Sequence, residues 1–202
     1  MRNDHLRILL IADLLNIPMS AADTLMCSCP SSVSLRGFLR RLSEGELGHP
    51  VLNKTGRLQL KAMLKLQTLM AEQRLEVGQE GVNWGELQRY VVEALDGRVR
   101  ETFVAVFLGP HHTFIASEIL FVGSVDCAWV DHRVVLTRAL SHQALSIVVA
   151  HNHPSGSLIP STADIETTRK LARCLKLVDI ALVDHLIVAS GRCESLRNLG
   201  FV

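Results

Sequence analysis

The stretch that most constrains this chain runs from Ala150 to Asp164, AHNHPSGSLIPSTAD. An apolar run, Leu145 to Ala150, leads into two histidines one residue apart, His151 and His153. Side chains two apart on an extended backbone point to the same side, so a strand that persists through both aims two imidazoles at one point. The segment Pro154 to Pro160 then turns the chain. Ser161 stands where a helix N-cap belongs, with Asp164 at the third helical position. Two imidazoles and one carboxylate make three protein ligands, the pattern that leaves a catalytic zinc with an open position for water. Such a water has a pKa lowered to about 7, which makes it a nucleophile near neutrality. A plainer reading uses the same residues. Ser-x-x-Asp is an ordinary capping box, and a histidine at a strand end is commonly a packing residue.

The full pattern is His-x-His, seven residues, Ser, two residues, Asp, and is carried by His151, His153, Ser161 and Asp164. It resembles that of the JAMM/MPN metalloproteases. The longer text HNHPSG…PS..D, followed by VDHLIV from Val183 to Val188, resembles the RadC branch of that family and covers roughly Arg100 to Val202. The literal His-Asn-His is a coincidence with HNH nucleases, which spread their named residues over a longer segment. The resemblance implies a fold of the α+β or α/β class in two parts. Residues 81–202 would form a JAMM/MPN (cytidine-deaminase-like) mixed sheet flanked by helices, and residues 1–80 a small all-helical, degenerate helix-hairpin-helix-like domain. It also implies Zn2+ on His151, His153 and Asp164, and cleavage of a peptide or isopeptide bond in a peptide or protein substrate.

Peptide hydrolysis at zinc needs a base that takes a proton from water and passes it to the leaving amine. In JAMM enzymes that base is a Glu opening the first strand. Glu101, followed by the apolar run Thr102 to Leu108 and then Gly109, fits this register, with Glu118 as the reserve candidate. The serine matching Ser161 helps JAMM enzymes hold the oxyanion on the substrate carbonyl. As a plain N-cap, Ser161 would instead contribute about 1 kcal/mol of helix stability. Asn152 faces away from the histidine pair on a regular strand and reads as structural. His185 lies in a strand that can run beside the site, either supporting a ligand or simply packed.

In chain order, the pattern predicts helices over His5 to Leu15, Ser20 to Met26 and Ser34 to Leu47. On the third, Leu35, Phe38, Leu39 and Leu42 share a face, with Arg36, Arg40 and Arg41 off it. His49 to Arg57 reads as irregular, and Leu58 to Leu75 as the longest helix. A domain boundary is expected in the polar, glycine-bearing stretch Glu76 to Asn83. Next come a helix over Trp84 to Leu95, a strand over Glu101 to Leu108, a turn at Gly109 to His112 and a partner strand over Thr113 to Val122. Ser124 to Val130 extends or leaves the sheet. Asp131 caps a helix over His132 to His142. Beyond the motif, a helix over Ser161 to Leu177 turns Arg169, Lys170, Arg173 and Lys176 to solvent. Ile180 to Ala189 is a buried strand, and the tail from Glu194 adds an edge strand.

Charge and cysteine content narrow the function classes. Residues 1–75 hold ten Lys/Arg against six Asp/Glu, so the front is mildly basic. In RadC-like chains the front is a helix-hairpin-helix that binds DNA backbone through a Gly-hydrophobic-Gly turn. Here the corresponding place reads Asn53-Lys54-Thr55-Gly56-Arg57, with a single glycine, which leaves at most weak DNA contact. Five scattered cysteines fit a reducing compartment. No apolar run is long enough for a bilayer and no leader is evident, so a cytoplasmic protein without membrane contact is expected. A zinc nucleobase deaminase would need His-x-Glu and Pro-Cys-x-x-Cys, and the chain has neither. The alternative to an enzyme is a non-catalytic DNA- or protein-binding accessory module linked to DNA repair or mobile elements.

Overall fold

The structure is a computed structural model and describes residues 2–76, 81–123 and 130–202. Four helices come first: α1 (Arg2–Leu15), α2 (Met19–Cys27), α3 (Leu35–Glu44) and α4 (Lys54–Glu76). Then follow α5 (Trp84–Leu95), β1 (Thr102–Leu108), β2 (Phe114–Val122), α6 (His132–Ser141), β3 (Ser146–Asn152), α7 (Thr162–Lys176), β4 (Ala181–Ala189) and β5 (Arg192–Ser195). The mixed α+β architecture matches the expected class. Most of the segment Ser124 to Val130, expected to extend or leave the sheet, lies outside the described residues.

The five strands form one mixed sheet in the order β2-β1-β3-β4-β5. β3 and β4 run parallel and are joined through α7, while β1 is antiparallel to β3. Every residue of β1 and β3 is buried, so both faces of the central strands are covered. Val104, Val106, Val148 and Ala150 turn towards Leu87, Val91 and Leu95 of α5. Phe103, Phe107, Ile147 and Val149 turn the other way, towards Val135 of α6 and Leu171 and Leu175 of α7. This alternation places His151 on the α7 face and Asn152 on the α5 face.

A third apolar cluster gathers Ile11, Leu15, Leu25, Phe38, Leu42 and Leu60 from the first four helices. α4 belongs to two clusters. Leu60 joins the helical one, whereas Ala71 and Leu75 pack with α5 and the sheet. Gly37 of α3 and Gly97 after α5 meet backbone to backbone. A Cβ on Gly97, whose φ is +77°, would fall 2.2 Å from the Gly37 Cα.

Two local expectations are corrected, and two further details of packing emerge. Residues 54–57 are the first turn of α4, not an irregular hairpin turn. Asn53 Oδ1 accepts the Gly56 N–H at 2.8 Å, and Gly56 packs under Leu52. Arg40, off the leucine face of α3 as expected, is nevertheless buried. It donates to the Ala94 carbonyl at 2.8 Å and the Glu93 carbonyl at 2.7 Å, while Arg36 donates to Glu93 at 2.9 Å and Arg98 to Ala94 at 2.9 Å. These are the last carbonyls of α5, which lack helical partners at the negative end of its dipole. Burial pushes the Arg40 pKa down to about 10, with repulsion from Arg98 and Arg36 adding to it. On α4, Leu58, Leu66, Leu69 and Met70 are exposed, while Leu60 and Leu64 are buried. Finally, the edge strand is β5, a hairpin return on β4, and the residues after Ser195 are turns that follow it. Among the described residues no single helix is long and apolar enough to cross a membrane, and the apolar α1–α2 pair is bent by 115°.

Candidate metal centre

The site lies at the C-terminal end of the parallel strands β3 and β4, where side chains from several elements can converge. His151 is in β3 and His153 follows directly, its N–H donating to the Val188 carbonyl of β4 at 2.9 Å. The extended pairing therefore continues through both histidines. Their Nε2 atoms stand 3.0 Å apart. Asp164 completes the group, with Oδ1 3.1 Å from His151 Nε2 and Oδ2 3.3 Å from His153 Nε2. Four donors around a zinc with bonds of about 2.0–2.1 Å would lie roughly 3.3 Å from one another. The three separations thus fit a shared cation, and among the described residues these three alone form such a metal-capable group.

Asp164 is delivered by its helix. Ser161 caps α7, and the capping box is complete. Asp164 Oδ2 accepts the Ser161 N–H at 2.7 Å and the Ser161 hydroxyl at 2.7 Å, and Ser161 Oγ accepts the Asp164 N–H at 3.1 Å. The capping reading and the ligand reading are therefore compatible: the cap fixes the carboxylate that faces the histidines. Burial opposes ionisation of Asp164, but the two adjoining histidines and the hydrogen bond from Ser161 outweigh it and hold the carboxyl far below the usual range. His153 Nδ1 meets the Ser157 carbonyl at 2.9 Å and must donate to it, so its Nε2 turns inward. The Asp164 carboxylate raises the His153 pKa, another sign that these groups favour positive charge between them.

Glu101 reaches the same point from the other side. Because β1 is antiparallel to β3 and Phe103 pairs with His151, the residues just before β1 lie level with those just after β3. Glu101 Oε1 lies 3.9 Å from His151 Nε2. Glu118 is elsewhere. It sits in β2 opposite Ala105, and its carboxylate takes the guanidinium of Arg138 at both oxygens and His142 Nε2 at 2.8 Å. The Arg138 hydrogen bond, with His142 assisting against burial, lowers its pKa to about 2. Glu118 therefore acts in stability. Its folded pKa lies below the ordinary 4.5, so its contribution is present above pH 4.5 and lost as the pH falls towards 2. Glu118→Gln should lower stability at pH 7 by about 1 kcal/mol, with the gap to wild type closing over that window in thermal melts.

Asn152 has the structural role its direction implies. Its Oδ1 accepts the Thr102 N–H at 2.9 Å and its Nδ2 donates to the Arg98 carbonyl at 2.9 Å. Asp184 ties down the chain end, accepting from the His185 and Arg197 backbone amides and from Ser195 Oγ. His185 is buried, with Nε2 2.8 Å from His151 Nδ1 and Nδ1 2.6 Å from Thr168 Oγ1. It contacts a candidate ligand and is not merely packed. Thr168 escaped the sequence reading, although its place one turn beyond Asp164 put it on the same helix face. A cleft of about 420 Å³ opens over the group, and Phe103, Val130, Ile159 and Ala163 give it an apolar wall.

A mixed sheet that presents two histidines, a helix-borne aspartate and a strand-end glutamate around one point has the layout of an α/β domain of the JAB type. Residues 82–201 match the model of the RadC-like JAB domain. The chain is 39% identical over 168 residues to a UPF0758 protein of Xanthomonas campestris pv. campestris, covering 83% of this chain and 75% of that one. It is 38% identical over 170 residues to a UPF0758 protein of Vibrio parahaemolyticus (82% and 76%) and 37% identical over 184 residues to one of Stenotrophomonas maltophilia (91% and 77%). The chain belongs to the RadC-like JAB family.

Proposed function

We propose that this protein is a zinc-dependent hydrolase of the JAMM type that cleaves a peptide or isopeptide bond. The observation that carries the reading is the convergence of His151 Nε2, His153 Nε2 and Asp164 at 3.0–3.3 Å, with Glu101 beside them. A zinc ion held by His151, His153 and Asp164 would supply a Lewis acid and bring the pKa of a water to about 7. Glu101 takes the proton from the attacking water and returns it to the departing amine. Its position beside His151 puts the carboxylate within reach of the open side of the cleft. Ser161 keeps Asp164 in place through the capping box, and it lines the cleft where a substrate carbonyl would lie. The apolar wall of Phe103, Val130, Ile159 and Ala163 excludes water from one side of the substrate and favours an apolar side chain there.

Elemental analysis of the purified protein tests the reading. About one zinc per chain is expected, removed by chelation and restored by added zinc. A chain that takes up no zinc even on reconstitution would leave the three residues as a capped helix beside two packed histidines, and the accessory-module reading would replace this one.

A further inference from the structure

We infer, on the metal reading just given, that His185 and Thr168 form a directed hydrogen-bond relay that fixes His151 in the tautomer a metal ligand needs. Both groups are fully buried, so water cannot substitute for either partner. The direction follows from counting hydrogens. Thr168 Oγ1 lies 2.6 Å from the Asp164 carbonyl oxygen and 2.6 Å from His185 Nδ1. Contacts this short each need a hydrogen between the heavy atoms. The carbonyl has none and the hydroxyl has one, which it gives to the carbonyl. The second hydrogen therefore belongs to His185 Nδ1, and Thr168 accepts it.

A neutral imidazole carries one N–H, so His185 Nε2 is left with a lone pair. It faces His151 Nδ1 at 2.8 Å, and that hydrogen must come from His151. His151 in turn keeps its Nε2 lone pair, the atom that faces His153 and Asp164. The relay thus starts at the backbone carbonyl of one ligand, Asp164, and ends on the ring of another, His151. It crosses α7, β4 and β3, so it also holds the helix that bears the carboxylate against the strand that bears the imidazole. His185 and Thr168 are positioning residues: they touch no reacting atom and act through His151.

The experiment uses the full chain loaded with zinc. Nitrogen-15 NMR of the histidine rings should show His185 with its hydrogen on Nδ1 and a bare Nε2. A hydrogen on Nε2 would overturn the relay. Zinc affinity, measured by competition with a chelator, should fall about tenfold in Thr168→Val and stay within about twofold of wild type in Thr168→Ser, which keeps the hydroxyl. The visible spectrum of the cobalt-substituted protein should shift in Thr168→Val alone. Equal affinity and spectrum in wild type and a folded Thr168→Val would refute the relay while leaving the metal site standing. If Thr168→Val does not fold, the wild-type ring tautomer decides. A wild type that binds no zinc at all removes the metal reading and the relay with it.

Discussion

His153→Ala should purify without zinc while wild type carries about one per chain. Of the three candidate ligands, His153 is the one whose loss disturbs the fold least. It follows the last residue of β3, is only partly buried, and its other ring nitrogen meets one loop carbonyl, that of Ser157. Removing it takes one of three donors from the centre and leaves Asp164 and His151 in place. His151→Ala would be a poorer test, because it also strands His185 Nε2 inside the core and opens a void there. The His153→Ala protein should melt within a few degrees of metal-free wild type. Full zinc content in a folded His153→Ala protein would show that the ion sits elsewhere and would end the assignment.

Glu101→Gln should abolish most hydrolysis and keep the zinc. The amide has nearly the shape of the carboxylate but cannot accept the proton of the attacking water. Loss of general-base assistance costs about 10²–10⁴-fold in rate. Zinc content should stay near one per chain, because Glu101 lies beyond the group of three that face each other. The pair of results separates binding from chemistry: one variant loses the ion, the other loses turnover. Activity retained in Glu101→Gln would mean that another group takes the proton. Glu118 is not a ready substitute, since its carboxylate is engaged by Arg138 of α6 and by His142 at the end of that helix.

The parts of the site legible in the sequence are those whose geometry is local. A period of two along β3 set His151 and His153 on one side and Asn152 on the other, and a capping box three residues wide set Asp164. Glu101 needed one further step, the antiparallel register between β1 and β3, which brings residues 50 apart to the same end of the sheet. That step rested on resemblance, because periodicity does not state which strands are neighbours. The roles of His185 and Thr168 depend on three elements meeting in space. The burial of Arg40 is hidden for the same reason: helical periodicity puts it off the apolar face of α3, but the bare carbonyls of α5 form a polar socket that only the packed structure reveals. On α4 the covered stripe runs through Leu60, Leu64, Ala71 and Leu75, a choice among many leucines that composition does not make.

The passage of α4 through two cores bears on how the chain folds. Its first half stands in the helical cluster, and its second half supplies Ala71 and Leu75 to the layer that covers the sheet. Arginines of α3 close the end of α5, and Gly37 and Gly97 leave no gap between the two regions. The front helices and the sheet that carries the histidine pair are thereby coupled in stability, so that loosening one exposes apolar surface of the other. The segment that the family model matches starts at residue 82, after α4 has already contributed to that layer. The family match begins there, but the packed layer that covers the sheet reaches back at least to Ala71.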